Sequence, residues 1–255
     1  MGCAVGDSVF NHCVAAEVEK RDTSGGGQDP TFVKGAFARI ADRYVLTNHV
    51  LSCGTDILWR KKVGRLAARW KPIKVLDVAT GTGDLALELQ RRCPDADVLG
   101  TDFCDEMLHH ARERGVRETM VADAMQLPFE DRRFDLVTVA FGLRNMAHWG
   151  DALREMRRVV RRNGHVLVLD FSLPRGPLRA PYLLYLNRVL PRVAGMLTGQ
   201  RGAYEYLAGS IDAFPSGPSM LELFAEAGLG EARWIPLSGG IAAIYTARRL
   251  PEPGE

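Results

Sequence analysis

The sequence lacks the features that mark several classes of protein. Its 33 basic residues nearly balance its 31 acidic residues, which leaves a net charge of +2, so no strong field attracts nucleic acid. No apolar run reaches the ~18 residues of a transmembrane helix. The N-terminus has no basic region followed by an apolar stretch, as a secretory signal would have. We therefore expect a cytoplasmic protein that does not bind nucleic acid.

The sequence has few cysteines, and their spacing does not favour a metal or redox site formed by several of them. The five cysteines are scattered and form no Cys-x-x-Cys pair, which argues against a zinc or redox motif. Reduced thiols are expected in a cytosolic protein. Since no cluster of His, Cys, Asp and Glu has the spacing of metal ligands, we expect no metal.

The length of 255 residues fits one α/β domain with a short appendage. Residues 1–30 end in a Gly-rich run and are predicted to be a flexible segment. Residues 31–70 carry apolar residues at helical spacing. The domain is therefore predicted to span residues 31–255.

Strands alternate with helices from residue 73 onwards. The predicted strands are 73–79, 97–103, 119–122, 134–141 and 164–171, and the predicted helices between them are 84–92, 105–114 and 147–162. This order predicts a doubly wound parallel sheet that is covered on both faces. After a further helix, the runs 233–237 and 241–247 are too close for a parallel crossover, so they predict an antiparallel hairpin.

A glycine loop follows the first predicted strand. Gly81 and Gly83 let the backbone approach a ligand, and Asp102 closes the second strand at the ~20-residue distance of a dinucleotide fingerprint. Asp77 and Asp84 bracket the loop and would repel a pyrophosphate. They would instead favour the ammonium and sulfonium groups of S-adenosylmethionine. The alternative for Asp84 is that it complements the dipole of the following helix.

Asp123 and Ala124 follow the third predicted strand. A carboxylate at this position can accept a hydrogen bond from the exocyclic amine of an adenine. The alternative is a turn-forming aspartate before Leu127 and Pro128.

Several short motifs resemble the ubiquinone/menaquinone C-methyltransferases over about residues 32–248. The motifs are Val75–Asp84, Phe141–Asn145, Tyr204–Pro215 and Ser238–Ala242, together with Tyr44, Asn48, Leu51, Ser52, Gly54 and Trp59. The chain departs from the family pattern at Val45, His49 and Cys104.

The resemblance implies a Rossmann-like class I methyltransferase sheet, mostly parallel with a C-terminal antiparallel hairpin and an N-terminal helical lid. It also implies S-adenosylmethionine as cofactor and methyl transfer to a ring carbon of a polyprenyl hydroquinone. The reduced ring is expected because a quinone is a poor nucleophile. The residues expected at the cofactor are Asp77, Ala79, Thr80, Gly81, Gly83, Asp84, Asp102, Phe103, Met107, Asp123, Ala124 and Phe141.

Three residues are candidates for the chemistry. Arg144 follows the fourth predicted strand, where ligands bind in such sheets, and its permanent charge suits a developing phenolate. Asn145 offers another donor, and Tyr44 of the lid could hydrogen-bond the second hydroxyl. The alternative for Arg144 is a structural ion pair with Asp123 or another loop carboxylate, and both roles could coexist.

The segment 176–213 is predicted to be a helical insertion over the substrate site. Tyr182, Leu186, Val189 and Val193 form an apolar stripe, with Arg188 and Arg192 roughly opposite. The stripe is compatible with a cover for a prenyl tail or a contact with the inner membrane face. It is equally compatible with an ordinary packed helix pair. A lipophilic quinol and a second copy in a homodimer are the expected partners.

Three other functions remain open. The first is methylation of another small lipophilic acceptor, such as a sterol or a phenol oxygen. The second is an NAD-dependent oxidoreductase, which Asp77 and Asp84 disfavour. The third is a non-catalytic subunit that binds S-adenosylmethionine within a quinone-synthesis complex.

Overall fold

The computed structural model describes residues 54–189 and 209–251. The predicted flexible segment 1–30, the lid residue Tyr44 and the departures Val45 and His49 lie outside these ranges. The same holds for the first part of the predicted lid and for much of the insertion 176–213. These expectations stay predictions.

The described residues form seven strands and six α-helices. In chain order they are α1 (Asp56–Arg69), β1 (Lys74–Val78), α2 (Asp84–Arg92), β2 (Asp97–Asp102), α3 (Asp105–Glu113), β3 (Glu118–Val121), β4 (Phe134–Ala140), α4 (Trp149–Val159), β5 (Val160–Phe171), α5 (Arg179–Leu184), α6 (Pro218–Glu226), β6 (Gly230–Leu237) and β7 (Ala242–Arg248). Short 3₁₀ helices occupy Leu143–Asn145, Gly176–Leu178 and Ser238–Gly240, and a short π-helix occupies Tyr185–Val189.

The strands form one sheet in the order β3-β2-β1-β4-β5-β7-β6. β1 to β5 run parallel, and β7 is antiparallel to both β5 and β6. The predicted doubly wound sheet with a C-terminal antiparallel hairpin is confirmed. In its register, Asp77 lies beside Gly100 of β2 and Thr138 of β4, so it sits in the middle of the sheet.

Successive strand residues point to opposite faces of the sheet. Both faces are apolar, and helices cover both of them. In β5, Leu167, Leu169 and Phe171 join a core with α1 and α2, whereas Val166 and Val168 join a core with α4 and α6. Most of the strand residues in both cores expose nothing to solvent. Within the described ranges, no helix is both long and apolar enough to cross a bilayer.

The boundary between α4 and β5 differs from the prediction. The predicted helix 147–162 ends already at Val159, and β5 begins at Val160 rather than at residue 164. The reason lies far along the chain. The Arg249 guanidinium donates to the carbonyls of Arg157, Arg158 and Val160 at 2.8–3.1 Å, which satisfies the free carbonyls at the helix end.

Candidate functional site

The candidate site lies where β1 and β4 end side by side. From β1 the chain turns to β2 on one side, and from β4 it turns to β5 on the other, which is the switch point where such sheets bind ligands. Ala79 and Phe141, which directly follow these strands, both have left-handed backbones with φ of 51° and 59°. A Cβ on Gly142 would lie 2.6 Å from the Ala79 Cβ. The two loops are therefore in contact, and strain of this kind is typical of functional sites.

Asp77 lies beneath the glycine loop rather than in it. Its carboxylate accepts hydrogen bonds from the hydroxyls of Thr80 and Thr138, both at 2.6 Å. The side chain is buried, and this burial raises the pKa of the Asp77 carboxyl to about 6. Asp77 thus supports Thr80 of the loop from below.

Asp102 ties the end of β2 to the glycine loop. Its Oδ2 accepts the Gly81 N–H at 2.9 Å, and its Oδ1 accepts the Cys104 N–H at 3.0 Å. Burial raises the pKa of the Asp102 carboxyl, against these two hydrogen bonds. A Cβ on Gly81 would lie 3.6 Å from Met107 Cε, so the predicted residues Gly81, Asp102 and Met107 are brought together. Phe103, between Asp102 and Cys104, is half-buried.

Asp84 begins α2 and carries two arginine partners. Arg114 Nη2 lies 2.6 Å from its Oδ1, and Arg60 Nη2 lies 3.7 Å from its Oδ2. Arg114 also donates to the carbonyl and hydroxyl oxygens of Thr82. Both alternatives for Asp84 remain open, because a carboxylate at a helix N-terminus complements the dipole wherever the cofactor lies. Gly83 is needed here, since a Cβ would approach Val116 Cγ2 to 2.4 Å.

Asp123 is exposed and forms the turn that the alternative reading predicts. Its Oδ1 accepts the Met125 N–H at 2.8 Å. The other carboxylate oxygen remains available for the expected contact with adenine, which stays a prediction. Ala124 beside it is half-buried.

Arg144 forms an ion pair, as its alternative predicts, but with a different carboxylate. Its Nη1 lies 2.7 Å from Asp170 Oδ1 at the end of β5 and 2.6 Å from the Phe141 carbonyl oxygen. The guanidinium also lies 5.3 Å from the centre of the Phe171 ring. Asn145 donates to the same Phe141 carbonyl at 3.3 Å. Arg144 is therefore held at the end of β4 by Asp170, not by Asp123.

Asp170 and Arg60 were not predicted from the sequence, and Trp59 was predicted only as part of the N-terminal lid motif. The Trp59 ring packs on Phe141 and Phe171 at centroid distances of 6.3 and 6.0 Å. Its Nε1 donates to Ser238 Oγ at 3.0 Å. Arg60 lies over the Phe141 ring at 5.1 Å. The only signal for Asp170 was an acid at the end of the fifth predicted strand.

The polar groups around the loop fit S-adenosylmethionine better than a dinucleotide. The Gly81 N–H, which a phosphate would need, is bound to Asp102. Asp77 and Asp84 add two further carboxylates next to the loop, and carboxylates favour a cationic ligand. Asp102 would hold the hydroxyls of a ribose, while Asp77 would act through Thr80 of the loop and not by touching the ligand.

Comparison with known proteins agrees with a site for S-adenosylmethionine. The sequence model of the ubiE/COQ5 methyltransferase family matches residues 25–249. A demethylmenaquinone methyltransferase of Thermus thermophilus is 44% identical over 84% of this chain and 99% of its own length. A ubiquinone/menaquinone biosynthesis C-methyltransferase UbiE of Bdellovibrio bacteriovorus is 42% identical over 85% of this chain and 95% of its own.

Solved structures share the fold at low sequence identity. A SAM-dependent methyltransferase of Thermotoga maritima superposes with a TM-score of 0.61 at 18% identity, over 85% of this chain and 99% of that one. A SAM-dependent methyltransferase of Aquifex aeolicus has a TM-score of 0.51 at 18% identity, over 70% of this chain and 82% of that one. These likenesses support the class I methyltransferase fold.

Proposed function

Because the chain belongs to the ubiE/COQ5 methyltransferase family, we propose that it methylates a ring carbon of a polyprenyl hydroquinone in quinone biosynthesis. The names of the relatives at 40–44% identity support this reaction with S-adenosylmethionine as cofactor. The observation in the structure that supports it best is the Arg144 guanidinium, fixed at the end of β4 beside the loop of β1.

S-adenosylmethionine supplies an electrophilic methyl group when it is bound. The attacking ring carbon becomes more electron-rich as its neighbouring hydroxyl loses a proton. Arg144 offers that oxygen a charge that is permanent at any physiological pH, and a fixed charge in a dry site stabilises a developing phenolate strongly. Asn145 adds a side-chain amide at the same end of β4.

Three aromatic side chains form a wall beside Arg144. Trp59, Phe141 and Phe171 pack against one another at centroid distances of 4.8–6.3 Å. The three residues are between 1% and 4% exposed, so they exclude water from the side of Arg144 on which they pack. The cluster would thereby hold Arg144 in the position that transfer requires.

Peripheral contact with the membrane is part of the proposal. Leu178, Leu184 and Val189 are between 44% and 58% exposed on the segment that follows β5. A polyprenyl quinol resides in the bilayer, and an apolar helical surface beside the site would let the enzyme reach it.

The test is transfer of labelled methyl from S-adenosylmethionine to a chemically reduced demethylmenaquinol and to its demethyl-benzoquinol analogue, both with short tails. We expect turnover on at least one quinol. Arg144→Lys should remove it, since lysine keeps the charge for Asp170 but loses the planar guanidinium. Arg154→Lys is the matched control, because Arg154 is 57% exposed on α4.

The quinol that is methylated identifies the ring. Tight binding of S-adenosylmethionine without turnover on either quinol would contradict the proposal. It would support another acceptor or a non-catalytic subunit instead.

A further inference from the structure

Basic residues are concentrated in two stretches of a chain that is nearly neutral as a whole. Residues 57–76 contain no aspartate or glutamate, and their basic residues are Arg60, Lys61, Lys62, Arg65, Arg69, Lys71 and Lys74. Residues 171–189 also lack an acid, and their basic residues are Arg175, Arg179 and Arg188. Since the whole chain carries a net charge of only +2, positive charge is distributed very unevenly along it.

Three of these side chains form a basic stripe along α1. Lys62, Arg65 and Arg69 are exposed, and their spacing of three and four residues places them on one side of the helix. The stripe is roughly 10 Å long, at a rise of about 1.5 Å per residue. The side of α1 that carries Trp59 and Val63 packs on the sheet, so the basic stripe faces away from it.

The described residues do not neutralise the basic stripe. Within residues 54–189 and 209–251, none of its three side chains forms an ion pair. The acid of α1, Asp56, is buried and pairs with Arg60. On α2, which packs against α1, Glu88 is paired with both Arg91 and Arg92. The positive charge of the stripe therefore suits an anionic partner.

Exposed apolar side chains accompany the basic stripe. Ile57 and Leu58, at the beginning of α1, are 48% and 62% exposed, while Leu184 and Val189 are 54% and 44% exposed. α5 and the residues that follow it cover the same face of the sheet as α1, because Leu186 joins the core that α1 forms with β5. The outer side of this helical layer therefore combines basic with apolar side chains.

This combination fits the surface of an anionic bilayer better than a nucleic acid. Helices at a membrane interface present basic side chains to the lipid headgroups and apolar side chains to the acyl boundary. A single-stranded nucleic acid favours aromatic side chains that are available to stack on bases. Trp70, at the end of α1, already stacks on His165 with ring centres 4.0 Å apart. The exposed apolar residues would also gain nothing from a phosphate backbone.

We propose that the outer side of α1, together with the exposed residues of α5 and the turn after it, is a docking face for a bilayer that contains anionic lipid. The basic stripe binds the headgroups, and Leu58 and Leu184 enter the boundary between headgroups and acyl chains. The inference rests on the proposed function, because a polyprenyl quinol is a substrate that resides in a bilayer. The charge of the lipid, and not apolar contact alone, then determines how tightly the enzyme binds.

The test is sedimentation of the protein with vesicles of phosphatidylcholine, with and without phosphatidylglycerol. The stripe variant combines Lys62→Gln, Arg65→Gln and Arg69→Gln. The wild type should bind the anionic vesicles, and the stripe variant should bind them about 100-fold more weakly, since each basic residue at such a surface changes binding roughly fivefold. Both proteins should bind the neutral vesicles weakly and to the same extent.

A matched control makes the same change of charge elsewhere. It combines Arg112→Gln, Arg117→Gln and Arg154→Gln, at exposed positions on α3, just before β3 and on α4. This control should bind the anionic vesicles nearly as tightly as the wild type. If it loses as much binding as the stripe variant, net charge alone attracts the protein and the inference is overturned.

Leu184→Ser tests the apolar part of the docking face. It should weaken binding to the anionic vesicles by about three- to tenfold, because the leucine side chain loses its burial in the bilayer. Met120→Ser is the control, since Met120 is 41% exposed on β3, and it should bind as the wild type does. A DNA duplex that binds the wild type and Leu184→Ser equally well, but not the stripe variant, would assign the stripe to nucleic acid and overturn the inference.

Vesicle binding is measured without quinol or S-adenosylmethionine, so it does not depend on methyl transfer. Equal binding of the wild type and the stripe variant to anionic vesicles overturns the docking face alone, as does equal binding of the wild type to neutral and anionic vesicles. If neither quinol is methylated, the proposed function fails whatever the vesicles show. With a long-tailed quinol in anionic vesicles, the stripe variant should lose turnover, while it should keep turnover on a short-tailed quinol in solution.

Discussion

The guanidinium of Arg144 and the carboxylate of Asp170 form an ion pair that is almost completely removed from solvent, with exposed side-chain fractions of 1% and 0%. Burial raises the pKa of the Asp170 carboxyl, and the Arg144 charge opposes this effect. The pair joins the ends of β4 and β5, so the residue proposed for catalysis is also part of the framework.

Breaking this pair should affect stability and activity differently. Asp170→Leu alone leaves a buried guanidinium without its carboxylate and should cost about 3–5 kcal/mol of unfolding free energy. Arg144→Met combined with Asp170→Leu should recover most of that loss, because an apolar pair can replace a buried ion pair. Methyl transfer should be absent from the double variant. Urea unfolding and the labelled-methyl assay measure the two properties. Activity in the refolded double variant would contradict the role of Arg144.

Asp77 should make stability depend on pH. Its folded pKa of about 6 lies above the ordinary value of 3.8, so the protonated carboxyl stabilises the fold fully below about pH 4, and this contribution is lost as the pH rises through about 6. Asp77→Asn keeps a neutral group at all pH values. The free energy of unfolding of the variant, taken relative to that of the wild type, should therefore be about 2–3 kcal/mol higher at pH 7 than at pH 4. Urea titrations at both pH values measure this, with the exposed Asp97→Asn as control. A difference that does not change with pH would refute the prediction.

Asp102→Ala should weaken the binding of S-adenosylmethionine by about 10–100-fold. Hydrogen bonds from a charged group contribute about 1.5–3 kcal/mol, and the Gly81 N–H also loses the partner that fixes the loop. The KM for the quinol should stay nearly constant, because Asp102 lies at the end of β2, away from Arg144. Calorimetry measures the cofactor affinity. Asp105→Ala is the control, since Asp105 is 67% exposed at the start of α3, and equal affinities for both variants would exclude a cofactor role for Asp102.

Gly142→Ala should disturb the contact between the loops of β1 and β4. The added Cβ would approach the Ala79 Cβ to 2.6 Å, and overpacking of this kind costs about 1–3 kcal/mol. Cofactor affinity should fall together with stability, because both loops belong to the site. Gly150→Ala in α4 meets nothing closer than 3.4 Å and should be neutral or slightly stabilising. Thermal unfolding and cofactor titration compare the two, and identical behaviour would contradict the close approach.

The alternation of apolar runs and helical stripes predicted the sheet and its hairpin because both periods are local properties of the sequence. The end of α4 was placed wrongly, since it depends on Arg249, about ninety residues further along. No local pattern in the sequence predicts that an arginine directly after β7 will donate hydrogen bonds to the carbonyls at the end of α4.

The residues expected at the cofactor follow strands whose ends meet at one edge of the sheet, so their proximity was predictable, while their contact with the cofactor stays a prediction. Gly81, Asp102 and Met107 meet as expected. The partner of Arg144 was not predictable, because Asp123 and Asp170 both follow strands, and only the neighbouring positions of β4 and β5 decide between them. Trp59 and Ser238 are 179 residues apart, and a single hydrogen bond over that distance has no pattern in the sequence.

The position of β7 between β5 and β6 has a consequence for how the polypeptide is made. β6 precedes β7 in the chain, and among the strands of residues 54–189 and 209–251 β7 alone pairs with it. During synthesis, β6 leaves the ribosome with no strand to pair with until residues 242–248 have followed it. This sheet therefore becomes complete only after residues 242–248 have been made, because domains generally fold as units. A premature stop before residue 242 would therefore leave both β5 and β6 with exposed edges, and such a fragment should aggregate or be degraded.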